Sequence, residues 1–128
     1  MCGNQKFYIC KHCGNMIGLI VNKGAPLVCC GEKMTELVPN TVEASMEKHL
    51  PVATVSGDSV SVQVGSVFHP MEEAHNISFV YVETERGGQR KCLKAGEEPK
   101  VTFSFSDDKP VAAYAYCNLH GLWKTEIK

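Results

Sequence analysis

The chain has 128 residues, 44% of them apolar and 21% charged, with a formal net charge of -1. That suits one medium domain or a small one joined to a larger one, and it excludes a disordered or helix-spanning membrane chain. It also leaves no field fit to hold nucleic acid, so neither nucleic acid nor membrane is expected as a partner.

Met1 to Lys6 is polar, with no secretory pattern, so a cytoplasmic protein is expected. Seven cysteines in a reducing compartment point to metal or redox work rather than disulfides, and an odd number cannot pair completely. Phe7-Tyr8-Ile9 reads as a short strand entering Cys10-Lys11-His12-Cys13-Gly14, the form of a metal-binding knuckle. Met16 to Val21 returns as a strand, Asn22 to Pro26 turns, and Leu27-Val28 leads into Cys29-Cys30-Gly31. Neighbouring cysteines bond each other only in a strained ring. Cys10, Cys13, Cys29 and Cys30 therefore read as four thiolates around one tetrahedral metal. A segment ending near Val38 is short enough to need such a metal. Spacing favours zinc by frequency, yet four sulfurs suit a single iron equally, and geometry leaves the choice open. His12 reads as a solvent-facing spacer, since four sulfurs already close the site.

Pro39 restricts Val38 to extended conformations and marks a boundary, giving domains 1–38 and 39–128. Asn40 is placed to cap one helical turn with Glu43 three residues on. Glu47-Lys48 precedes His49-Leu50-Pro51, and opposite charges there suggest an exposed loop. From Val52 the pattern has period two. Strands are expected at Val52 to Val55, Val60 to Val64, Ile77 to Glu83, Arg90 to Leu93, Val101 to Phe105, Val111 to Tyr116 and Leu122 to Ile127. Ser56-Gly57-Asp58-Ser59 reads as a hairpin, and Arg86-Gly87-Gly88-Gln89, Ala95 to Pro99 and Asp107 to Pro110 read as breaks. Seven short strands of this kind predict an antiparallel, immunoglobulin-like β-sandwich. Cys92 reads as a small buried apolar residue, and Cys2 has no assigned role.

The segment from Gly65 to His75 breaks the alternation and carries His69 and His75. Cys117-Asn118-Leu119-His120 leaves the end of a strand, and Gly121 lets the backbone reverse beside it. With His49, these placements make a five-donor site: four imidazoles and one thiolate, too many for tetrahedral zinc. Four nitrogens in a plane with sulfur on the axis would leave the sixth position open. A thiolate pushes electron density towards whatever binds opposite it, so the site suits reduction of a small oxygen species. Lys48 would draw a small anion towards it.

Four motifs then carry a resemblance: Cys-x2-Cys with Cys-Cys, Glu-Lys-His-x-Pro, His-Pro-Met-x3-His and Cys-Asn-x-His-Gly-x-Trp. Over nearly its whole length the chain resembles the desulfoferrodoxins, two-iron superoxide reductases, and its N-terminal part resembles desulforedoxin. The resemblance implies iron on Cys10, Cys13, Cys29 and Cys30. It also implies a catalytic iron on His49, His69, His75 and His120 with Cys117 on the axis. It further implies one-electron reduction of superoxide to hydrogen peroxide, rubredoxin or a similar donor, and a homodimer. Lys48 would guide superoxide, and Glu47 would be the carboxylate that occupies the open position of the oxidised iron. Two rival readings are a non-enzymatic electron carrier and a zinc-ribbon interaction domain fused to a sandwich with incidental histidines.

Overall fold

The computed structural model describes residues 2–128. The chain divides into two compact units, one ending at Val38 and the other running Pro39–Lys128. In the first, β1 (Lys6–Ile9) lies between β2 (Met16–Leu19) and β5 (Thr35–Glu36) in an antiparallel sheet. A separate two-residue hairpin pairs β3 (Val28–Cys29) with β4 (Glu32–Lys33). Among the described residues of this unit the buried apolar ones are Phe7 and Cys10. That is far too little apolar surface to offset the ordering entropy of the segment.

The second unit begins with a four-residue helix, α1 (Met46–His49). Seven strands follow: β6 (Pro51–Ser56), β7 (Ser59–Val64), β8 (Ile77–Thr84), β9 (Gly87–Cys92), β10 (Lys100–Ser104), β11 (Pro110–Cys117) and β12 (Gly121–Glu126). They form two antiparallel sheets, β10-β7-β6 and β12-β11-β8-β9, as the period-two pattern requires. Alternation sends Val60, Val62 and Val64 of one sheet towards Ile77, Val80, Val82, Ala113 and Ala115 of the other, with Phe103 between them. Each such Val or Phe, once fully buried, contributes roughly 1.5–3 kcal/mol. The expected mainly β architecture is present.

Cys117 is the last residue of β11 and fully buried in this core. Tyr116 pairs with Phe79 but Cys117 pairs with Ile77, so Ser78 is left over as a bulge. Bulges of this kind re-aim side chains beside functional sites, and here Ile77 and Cys117 both join the core.

Four local expectations are corrected. The break at Arg86 to Gln89 shrinks to Glu85-Arg86, because Gly87, Gly88 and Gln89 pair with Thr84, Glu83 and Val82. Glycine is needed there: a Cβ on Gly88 would collide with the Tyr81 hydroxyl. Cys92 is exposed, since it ends the edge strand β9. Asn40 caps no helix; at φ 62 it exchanges side-chain bonds with Lys124 instead, accepting from its N–H at 2.9 Å and donating to its carbonyl at 3.0 Å. The capping role falls to Ser45, whose Oγ accepts from the Lys48 N–H at 3.3 Å. Glu47 and Lys48 consequently lie on a helix rather than in a loop, though both remain exposed. Among the described residues, no helix is long and apolar enough to cross a membrane.

Candidate metal centres

In the first unit, Gly14 at φ 82 lets the chain close on itself, and its N–H donates to the Cys10 carbonyl at 2.9 Å. Cys30 at φ 53 and Gly31 at φ 77 make the second turn. These turns bring the sulfurs of Cys10, Cys13, Cys29 and Cys30 within 4.8 Å of one another. The Cys13 N–H is the main influence holding the Cys10 thiol down at about 6. Hydrogen bonds among the crowded thiols push Cys30 up to about 12 and raise Cys29 as well. The group therefore accepts one negative charge readily and resists more until a cation balances them, which is the behaviour of a metal cage. His12 stands outside it, paired with Glu32 at 3.0 Å.

In the second unit the donors come from four separate segments. His49 ends α1, His69 and His75 lie between β7 and β8, Cys117 ends β11, and His120 sits in the turn to β12. Donor atoms of His49, His69, His75 and Cys117 all lie within 4.8 Å of one another. His120 joins them, its Nδ1 3.1 Å from His49 Nε2 and 3.8 Å from Cys117 Sγ. The imidazoles form a closed collar. Successive ring centroids are 4.7 Å apart for His49–His69, 4.6 Å for His69–His75, 5.2 Å for His75–His120 and 4.9 Å for His120–His49. The interplanar angles, 77°, 80°, 74° and 87° in the same order, are all close to perpendicular.

Backbone carbonyls set the tautomers. His49 Nδ1 is 2.6 Å from the Ser45 carbonyl and His69 Nδ1 is 2.7 Å from that of Pro70. A carbonyl only accepts, so each Nδ1 carries the proton and each Nε2 presents a lone pair inwards. The buried Nε2 atoms of His69 and His75 have no hydrogen-bond partner among the described residues. Leaving such atoms unsatisfied costs about 1–3 kcal/mol each, which a cation would relieve. Burial is the main cause lowering His49 and taking His69 down to about 4, so both rings are neutral, ligand-competent bases at neutral pH. Burial also raises the Cys117 thiol. A divalent cation reverses that preference, because a coordinating thiol is deprotonated outright. The donor set therefore fits a metal.

Two further contacts steady the collar. Trp123 packs on His49 at 4.9 Å, and its Nε1–H donates to the His120 carbonyl at 3.1 Å. The desulfoferrodoxin family model matches residues 41–126, the stretch that carries all five donors. The chain is a member of the desulfoferrodoxin family. It is 44% identical to the desulfoferrodoxin homolog of Archaeoglobus fulgidus, covering 94% of this chain and 96% of that one. Identity to the desulfoferrodoxin of Nitratidesulfovibrio vulgaris is 41%, covering 98% and 99%. The superoxide reductase of Treponema pallidum superposes with a TM-score of 0.81 at 35% identity, covering 95% of this chain and 97% of that one. In this desulfoferrodoxin the two donor groups could hold two iron ions.

The fold brings His49, His69, His75, His120 and Cys117 together, and separately Cys10, Cys13, Cys29 and Cys30, while Glu47 and Lys48 lie exposed on α1 beside His49. The orienting carbonyls of Ser45 and Pro70 were invisible to sequence reading, since any residue supplies a carbonyl. Trp123 stood in a motif, but its packing on His49 had no sequence signal.

Proposed function

We propose that this chain is a superoxide reductase whose working centre is His49, His69, His75, His120 and Cys117. The observation that carries the reading is the collar itself: four imidazoles and one thiol converge, and two buried nitrogens have no hydrogen-bond partner among the described residues. The balance of the reaction is one superoxide, one electron and two protons in, one hydrogen peroxide out. When bound, ferrous iron supplies that electron. An external carrier, rubredoxin or a similar protein, then restores it.

The chain's own residues do the rest. Ser45 and Pro70 hold two imidazoles with Nε2 inwards, and Cys117 supplies a soft, electron-donating sulfur. Four neutral rings and one thiolate leave a divalent cation with net positive charge, which favours an anionic substrate. Lys48, exposed on α1 next to His49, adds to that attraction and speeds encounter in a salt-dependent way. Glu47, the exposed carboxylate beside it, would be a ligand to the iron in its oxidised state. Cys10, Cys13, Cys29 and Cys30 hold the second iron, in an electron-transfer or structural role, so 1–38 is the rubredoxin-type domain and 39–128 the catalytic one. A cytoplasmic location accords with seven free cysteines. The homodimer follows from family resemblance and is checked by solution mass.

Pulse radiolysis of the reduced, iron-loaded protein tests the reading. Superoxide should disappear in a second-order reaction that yields one peroxide per superoxide and no oxygen. Release of oxygen, or a purified protein holding zinc alone, would refute it.

A further inference from the structure

The four imidazoles are not held alike. His49 and His69 are each oriented through their own Nδ1–H. Among the described residues His75 has no such ring bond to a carbonyl, so its aim depends on the backbone that carries it and on the neighbouring rings of His69 and His120. That backbone is a tight loop, closed by the Glu72 N–H to the His75 carbonyl at 2.9 Å and the His75 N–H to the Glu72 carbonyl at 3.2 Å. Asn76 strengthens it from within, its Nδ2 donating to the carbonyls of Glu72 at 3.0 Å and Glu73 at 3.1 Å.

One side chain ties this loop to the rest of the centre. Asn118 follows Cys117 directly, and its Oδ1 accepts from the Asn76 N–H at 2.9 Å. Its Nδ2 donates to the Ala74 carbonyl at 3.0 Å, and its own N–H donates to the Asn76 carbonyl at 3.1 Å. An N–H on one side and a carbonyl on the other fix which way the amide points. The two tied residues, Ala74 and Asn76, bracket His75. On the other side, Asn118 stands between Cys117 and His120.

We infer that Asn118 is a positioning residue: its amide clamps the His75 loop to the Cys117–His120 turn, setting the separation of donors that arrive from distant parts of the sequence. The inference rests on the metal-centre reading above. It assigns Asn118 no contact with substrate; its work is to keep a loosely anchored imidazole in reach. Loss of such an outer partner typically weakens metal affinity about 10- to 100-fold.

The test uses the full chain with iron at both centres, challenged with excess ferrous chelator, each centre followed by its own electron paramagnetic resonance and absorption signals. The four-cysteine centre serves as an internal reference in every sample. Asn118→Ala should release iron from the histidine centre about 10- to 100-fold faster than wild type, with release from the four-cysteine centre unchanged. Asn118→Asp keeps the Oδ1 acceptor but turns an oxygen towards the Ala74 carbonyl; it should fall between the two and carries the test if the alanine variant does not fold. Thr84→Val deletes a hydrogen bond to Asp108 near the opposite end of β8 and should leave both release rates at wild-type values. Release from Asn118→Ala within about twofold of wild type, or an acceleration that Thr84→Val shares, would overturn the clamp. A wild-type protein with no iron at the histidine centre would instead overturn the underlying reading.

Discussion

The two metal centres stand on opposite relations between metal and fold. In the first unit the donors lie in two close pairs on tight turns, Cys10 with Cys13 and Cys29 with Cys30, and among the described residues only Phe7 and Cys10 are buried apolar ones. There the metal must substitute for a core. In the second unit the donors span His49 to His120, and a sandwich with a full apolar core brings them together. There an apolar core lies beside the donors, and the fold is expected to stand without the metal. One centre is legible as a spacing; the other is legible only as a set of residues that a topology could gather.

Metal removal gives the largest expected effect and would break the comparison outright. With a strong chelator under reducing conditions, amide resonances of residues 2–38 should collapse to unfolded positions. Those of the sandwich strands β6 to β12 should keep their dispersion, because the core there is independent of metal. A first unit that stays folded without metal, or a sandwich that melts with it, would sink the contrast.

Core truncation probes the same difference from the other side. Phe103 is fully buried between the sheets. Phe103→Ala should destabilise the second unit by about 3–5 kcal/mol, from lost transfer energy and the cavity left behind. Calorimetry should show that transition falling while the absorption band of the four-cysteine centre melts where it did before. If both fall together, the units do not stand on separate footings.

Charge comes next in size. Lys48 is exposed, and removing it changes neither core nor ligand. Lys48→Ala should slow the reaction with superoxide by about tenfold at low ionic strength and flatten its salt dependence. The four-cysteine centre has no part in that encounter, so its spectrum and potential should not move. A rate equal to wild type at every salt concentration would remove Lys48 from the mechanism.

Legibility followed the same division. The four-cysteine centre could be read from Cys10-x2-Cys13 and Cys29-Cys30 because its geometry is local, although the identity of its metal could not. The sandwich was legible through strict alternation, as in Val60-Ser61-Val62-Gln63-Val64, where burial follows the sequence residue by residue. Reading failed where a tertiary contact overrode a local signal. Gly87-Gly88 looks like a turn but lies in a strand, where Gly88 makes room for Tyr81. Asn40 looks like a cap but binds Lys124, far along the chain. The ring-orienting carbonyls of Ser45 and Pro70 carry no sequence signal at all, and Asn118 reads only as a motif letter until Ala74 and Asn76 are seen on either side of it.

The smallest predicted effect concerns acid. Asp108 accepts from Thr84 Oγ1 at 2.6 Å, from the Lys109 N–H at 2.8 Å and from the Arg86 N–H at 3.1 Å. The Thr84 hydroxyl is the largest cause holding its carboxyl below the usual carboxylate range, followed among the lowering influences by the two backbone N–H groups. A folded-state pKa below the unfolded one means the unfolded chain binds the proton more readily. The stabilisation is therefore complete above the unfolded value of about 3.9 and lost as pH falls through the lower folded value. Asp108→Asn removes the charge but keeps the size. Its second-unit melting temperature should lie modestly below wild type at pH 6, and the gap should narrow as pH drops below about 4. A gap that is the same at pH 6 and pH 2.5 would mean the side chain acts through shape alone. Asp108 contacts no donor of either centre, so the melting step of the four-cysteine centre should be the same in both proteins at every pH.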